Sequence, residues 1–156
     1  MDSEGSVAVH PPFAEVEDKV CASRIYPKKS KIHFKYTIYY ILQGMKSIEF
    51  LGASLDDLRS FPVPVRRELG YQLDRLQHGL ELEDWKPMAG LGAGVREIRV
   101  RDPSGAWRAI YIAKLTDAVY VLHCFQKKTQ KTLKSDIDLA RARLGELTAS
   151  KTRRVK

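Results

Sequence analysis

The chain is 156 residues long, room for one domain with a single modest core and no second globular unit. Its formal net charge of +8 favours polyanionic partners, because a basic surface raises encounter rates and gains from counterion release at phosphates. No segment reaches the roughly 18 apolar residues that span a bilayer, and the cysteines, Cys21 and Cys124, lack any spacing that cages a metal. A protein of the reducing cytoplasm is expected, without metal, cofactor or membrane partner.

Residues 1–30 hold Pro11, Pro12 and Pro27, scattered charge and little periodicity, and read as an irregular leader. In Lys31–Leu42, Ile32, Phe34, Tyr36 and Ile38 alternate with Lys31, His33, Lys35 and Thr37, a strand pattern. Met45 then opens MKSIEFLG, the start of a compact domain over residues 45–148. Residues 1–44 are expected to be an N-terminal extension, or upstream sequence read through from an early start codon. They carry six basic and five acidic side chains against 21 and 14 in the remainder, so the positive field belongs to the later part.

A short strand is predicted over 46–51. Ser54 and Asp57 form a helix-start box, with Asp56 and Asp57 suited to the positive end of the helix dipole, and Pro62 ends that helix. A second helix begins near Pro64; Val65, Leu69, Leu73, Leu76 and Leu80 give it an apolar stripe, with Gly79 as the left-handed residue at its end. Glu81–Gly94 reads as a loop. Three strands follow over 95–101, 106–113 and 118–125, the first two joined by the DPSG turn at 102–105, and such short connections imply an antiparallel meander. The last helix starts at Ser135, with Ile137, Ala140, Leu144 and Leu147 on one face and Asp138, Arg141 and Arg143 on the other. Residues 149–156 are expected to be a fraying basic tail. The order defines an α+β fold, two N-terminal helices and a C-terminal helix packed on a compact antiparallel sheet.

Phosphate-binding GxxxxGK[ST], GxGxxG, nucleophile-elbow and zinc-protease motifs are all absent. GLGAG at 90–94 precedes a strand instead of opening a helix, the wrong context for a phosphate cradle. What remains is a set of cations on and beside the meander: Arg96, Arg99, Arg101, Arg108, His123, Lys127, Lys128 and Lys131. Alternation sets Glu97, Arg99 and Arg101 on one face of the first strand and Arg96, Ile98 and Val100 on the other. Two readings stand side by side: these arginines coat a solvated sheet and pair with Glu97 and Asp102, or they bind an anion. Arg108 leans toward the second, because it interrupts the apolar run of an interior strand, where a charge needs a partner or a purpose.

Metal-free RNA cleavage asks for little more than such a set. The ribose 2'-hydroxyl is the internal nucleophile, so the protein has only to align it with the phosphate and stabilise the charge building on the nonbridging oxygens. Arginine does this through a bidentate fork and lysine as a point charge. A histidine such as His123 moves protons near neutral pH; its plain reading is a hydrogen-bonded side chain at a strand end.

GVREIRVRDPSGAWRAIYIAK, then VYVLHCFQKKTQKT, then DIDLARARL strongly resemble the phage-derived, HigB-like branch of the RelE/ParE toxin superfamily, over about Met45–Leu147. The resemblance implies a type II toxin–antitoxin toxin with a microbial RNase fold, an endoribonuclease that cuts mRNA on the ribosome and inhibits translation. It also implies a cognate helix-turn-helix antitoxin, with mRNA and ribosomal RNA as further partners. By the same resemblance Arg108 meets the scissile phosphate, Arg99 occupies the EIR basic position, Lys127 and Lys128 are the paired lysines after the third strand, and His123 is the LHxF histidine. Arg108, Arg99, His123 and Lys128 are the expected catalytic set, with Arg96, Arg101, Lys127 and Lys131 binding RNA. Two departures are the 44-residue leader and Leu133, where many relatives place proline. The rival readings are a ParE-like inhibitor of DNA gyrase on the same fold and a non-enzymatic RNA-binding module.

Overall fold

The computed structural model describes residues 44–155; the leader and the strand predicted at Lys31–Leu42 lie outside them. Strand β1 (Ser47–Phe50) leads through Gly52 into α1 (Ser54–Arg59), and Pro62 separates this helix from α2 (Val63–Gln77). Pro64 sits in the first turn of α2, where a missing N–H costs nothing. Val65, Leu69, Leu73 and Leu76 are buried as the stripe requires, but Leu80 is 53% exposed. The helix stops before it, and Gly79, at φ 71°, turns the chain away. Ser54 does not cap α1 as expected. It is the first helical residue, buried, and its Oγ donates to the carbonyl of Val121 at 3.1 Å.

The stretch predicted as a loop contains β2 (Trp85–Pro87), which pairs antiparallel with β3 (Val95–Asp102). Three residues are too few to show a period, and a closing proline suits a sheet edge, where its missing donor is not needed. The meander continues with β4 (Gly105–Ile112) and β5 (Ala118–Lys127), then α3 (Lys134–Val155). In the β3–β4 turn, Asp102 Oδ1 accepts from the Ser104 backbone N–H at 2.9 Å, and Asp102 and Gly105 form the last cross-strand pair.

The sheet order is β1-β5-β4-β3-β2. The meander is antiparallel as expected, whereas β1 adds to β5 in parallel, Ser47 opposite Ala118 and Phe50 opposite Val121. No hairpin fixes the direction of β1, because five other elements and their loops intervene before β5. Alternation divides the sheet into two faces. Ile98, Val100, Trp107, Ala109, Tyr111, Val119, Val121 and Cys124 pack under α1 and α2. Val95, Ile110, Ile112, Tyr120, Leu122 and Phe125 pack with Ala140 and Leu147 of α3. A bulge in β5 changes the alternation: Ile110 faces His123 but Tyr111 faces Val121, so Leu122 is the extra residue.

The end of α3, expected to fray, is helical through Val155. Lys151 donates to the Asp117 carboxylate and lies 5.0 Å from the centre of the Tyr120 ring, while the Tyr120 hydroxyl donates to Asp117 Oδ2 at 2.7 Å. Burial pushes the Asp117 pKa up, but the hydrogen bonds from Lys151 and Tyr120 outweigh it and hold the carboxyl below its ordinary 3.8. A depressed folded-state pKa contributes stability above the ordinary value, and that contribution is lost as pH falls through the folded value. Asp117→Asn is therefore expected to unfold at lower urea than wild type near neutral pH. In strong acid the two melts should converge; a gap of equal size at both pH values would contradict the linkage.

Arg143 also departs from expectation. It is buried rather than on the solvent face of α3, and its Nη1 donates to the Leu122 carbonyl at 2.8 Å. Its guanidinium lies against Gly52, whose φ is 57° and where an added Cβ would come within 2.6 Å of Arg143 Nε. Arg141, by contrast, pairs with Asp138 at the surface at 2.8 Å.

Candidate active site

The cations meet on the α3 side of the sheet. There β3, β4 and β5 contribute residues in register: Arg101, Ala106 and Lys127 in one row, Arg99, Arg108 and Phe125 in the next, then Glu97, Ile110 and His123, then Val95, Ile112 and Tyr120. Lys86 of β2 extends the third row, opposite Glu97. Val95, Ile110, Ile112, Tyr120 and Phe125 belong to the apolar cluster with α3. The first two rows carry Arg101, Lys127, Arg99 and Arg108, and Lys86 stands against Glu97 in the third.

Arg108 is its centre. It is 3% exposed, its Nη1 donates to the carbonyl of Trp107 at 2.8 Å, and its Nε stands 3.1 Å from Glu97 Oε1. That contact is an ion pair without hydrogen-bond alignment: neither Glu97 oxygen nor Arg108 Nε has an aligned hydrogen-bond partner. Burial pulls the Arg108 pKa below its ordinary value, Glu97 pulls it back up, and Arg101 and Arg99 lower it. Guanidinium groups remain charged in proteins despite such shifts, so Arg108 is a fixed positive charge. The partner that a charge at this interior position needs is thus Glu97, which holds it at one place on the sheet.

Arg99 lies directly across from Arg108 on β3. Its Nε donates to Asp84 Oδ1 at 2.7 Å, and its backbone N–H bonds the Asp84 carbonyl at 2.9 Å. The acidic partner comes from just before β2 and not from Asp102. Arg101 is exposed at the mouth, and Lys127 is half-buried beside it. Lys128 and Lys131 are exposed in the turn after β5, where the Lys131 carbonyl accepts a hydrogen bond from the Thr129 hydroxyl.

Arg96 is not brought to this group. Alternation places it on the opposite face, in register with Tyr111, and its guanidinium stacks 4.1 Å from the centre of the Trp85 ring. His123 does lie on the cleft face, but it is 7% exposed and both ring nitrogens face carboxylates. Nε2 is 2.9 Å from Asp136 Oδ1 and Nδ1 is 3.9 Å from Asp57 Oδ2, while the ring stacks on Phe125 with centroids 5.1 Å apart. It thereby joins α1, β5 and α3. Beside it, Cys124 is buried on the other face, where burial and Asp57 push its thiol pKa up and leave it unreactive.

Sequence reasoning missed Asp84, Lys86, Asp57 and Asp136, which no periodicity links to the cations they meet. Glu97 carried a signal: it shares its face with buried Val95, so that face of β3 was never uniformly solvated.

Fold and site together define a class: a mixed α+β protein whose five-stranded sheet and helices match a compact RelE-like fold and whose α3 face carries clustered cations. The chain belongs to the family described as Phage derived protein Gp49-like (DUF891), whose model matches residues 56–145. This phage-derived family is related to the RelE group of toxin–antitoxin toxins. No curated protein matches the chain. Among the described residues no helix is long and apolar enough to cross a membrane.

Proposed function

We propose that the protein is the toxin of a type II toxin–antitoxin system, of the HigB-like kind, and a metal-independent endoribonuclease that cuts mRNA on the ribosome in the cytoplasm. The observation that carries this reading is Arg108, a buried guanidinium fixed at the centre of a cationic face that also holds Arg99, Arg101 and Lys127. In the reaction the 2'-oxygen loses its proton and bonds to the adjacent phosphorus, the bond to the 5'-oxygen breaks, and that oxygen takes up a proton. The products are a 2',3'-cyclic phosphate and a free 5'-hydroxyl. Arg108 stabilises the charge on the nonbridging oxygens, Arg99 and Lys128 position the strand, and Arg101, Lys127 and Lys131 bind its flanking phosphates. A helix-turn-helix antitoxin is the partner that restrains it.

His123 is assigned to bracing α3 against β5, since both of its nitrogens face carboxylates. His123→Ala is expected to lower thermal stability while leaving the pH dependence of the rate per folded molecule unchanged. Loss of one limb of that profile would return proton transfer to His123.

The decisive experiment maps RNA ends on translating ribosomes after the protein is induced, with and without a coexpressed antitoxin. Cleavage within the reading frame, suppressed by the antitoxin, is the expected outcome. DNA damage with intact message would point instead to a gyrase inhibitor. A stable complex with uncut RNA would point to a binding module.

A further inference from the structure

Glu97 is 0% exposed, yet neither of its oxygens has an aligned hydrogen bond. Its neighbours are cations: Arg108 Nε at 3.1 Å and Lys86 Nζ at 3.9 Å from Oε1. As cement between two strands this is a poor choice, because apolar side chains of similar volume hold such positions as well or better without desolvating charge. What the carboxylate does achieve is directional. A guanidinium engages a phosphate through pairs of N–H groups along its edges. Here Nε is occupied by Glu97 and Nη1 by the Trp107 carbonyl. Nη2 has no partner among the described residues and is absent from the fully buried unpaired atoms, so it is the prong that reaches the surface.

We propose that Glu97 is a positioning residue for Arg108, its buried carboxylate holding the guanidinium by Nε so that Nη2 is the group offered to a phosphodiester. This rests on the reading of the cationic face as an RNA-cleaving cleft. Lys86 shares the carboxylate and sets the other side of the same clamp. Without the clamp, Arg108 keeps its charge and its attraction for RNA but loses its fixed direction, a difference felt more in the reacting complex than in the bound one. Misplacement of about 1 Å costs on the order of 100-fold in rate.

The test compares wild type with Glu97→Gln, which keeps the shape and removes the charge, and with Glu97→Asp, which keeps the charge and withdraws it by one methylene. Affinity is measured for a stalled ribosomal complex whose message carries a 2'-deoxynucleotide at the cleavage site, and single-turnover rate for the cleavable message. Glu97→Gln is expected to cut at least about 10-fold more slowly with affinity changed less than about 3-fold, and Glu97→Asp to fall between it and wild type. A wild-type rate in Glu97→Gln, or a loss lying wholly in affinity, overturns the proposal. Should Glu97→Gln not fold, a wild-type rate in Glu97→Asp overturns it equally. If wild type cuts no RNA, the functional reading fails by itself. The clamp is then judged by the Arg108 Nε–H resonance, assigned by its loss in Arg108→Lys: it should be resolved in wild type and broadened in both variants, and an unchanged signal refutes the clamp.

Discussion

Arg108→Ala is expected to reduce message cleavage by about 100–1000-fold, the usual cost of removing one preorganised donor from developing charge. The loss should be measured per folded molecule, since the same change leaves Glu97 buried without its nearest cation. Breaking a buried pair by deleting one partner costs on the order of 3 kcal/mol, and with Lys86 still 3.9 Å away the low end of that effect applies. Native domains hold about 5–15 kcal/mol, so the variant stays folded at moderate temperature. Arg108→Lys separates the two effects. A lysine keeps the charge beside Glu97 and regains stability, but it is a point charge that cannot meet Glu97 and the Trp107 carbonyl while offering a separate nitrogen to the phosphate, so cleavage should remain far below wild type. A folded Arg108→Ala cutting within a few-fold of wild type, with ends mapped on the same message, would remove the cleft from consideration.

The second large effect lies on the opposite face of β4. Trp107 is buried under α1 and α2, its ring 4.5 Å from that of Phe61 at a 50° tilt, and its Nε1 donates to Ser104 Oγ at 3.1 Å. Trp107→Ala removes that apolar volume and leaves a cavity between sheet and helices, a change that costs about 3–5 kcal/mol. For a domain of about 100 residues, each kcal/mol lowers the melting temperature by roughly 4–8 °C, so a fall well above 10 °C is expected by calorimetry. The backbone carbonyl that holds Arg108 Nη1 belongs to this same residue. Loosening the packing should therefore reduce cleavage even in the fraction that stays folded. A melting point within a few degrees of wild type would show that the Phe61–Trp107 contact is not part of the core.

The elements with a clear period were legible in the sequence. The stripe of α2 short of Leu80, the three strands of the meander and the turn between β3 and β4 stand where alternation and turn residues place them. Elements fixed by tertiary partners were not. Ser54 has the chemistry of a cap, but the Val121 carbonyl of β5, which also accepts from the Leu51 N–H, claims its hydroxyl. Arg143 reads as a surface charge on a helical wheel, yet Gly52 leaves a slot through which it reaches the Leu122 carbonyl. Residues near the chain end gain a helical conformation that their weak stripe did not predict, and Asp117 and Tyr120 anchor Lys151 there. The candidate site shows the same division. Strand alternation sets Arg99 and Arg101 on one face and Arg96 on the other, as the pairing has them, whereas Arg108 stood out only by interrupting an apolar run. Asp84, which holds Arg99, comes from a segment without a period and left no mark on the local pattern, whereas Glu97, which holds Arg108, shares the face of β3 with Arg99 and Arg101.

The bulge at Leu122 gives the cleft a dependence on how β5 is paired. Before it, Ala118 and Tyr120 point toward α3; after it, His123, Phe125 and Lys127 do, with Leu122 and His123 consecutive on one side. Were the same residues paired without the bulge, strict alternation from Tyr120 would carry Leu122, Cys124 and Gln126 toward α3 and send His123, Phe125 and Lys127 under α1 and α2. The charge pattern of this face is thus set by the bulged register of one strand as much as by which residues the strand carries. Closing the bulge without removing its residue would switch the sidedness of the second half of β5, with every side chain retained and the site dissolved.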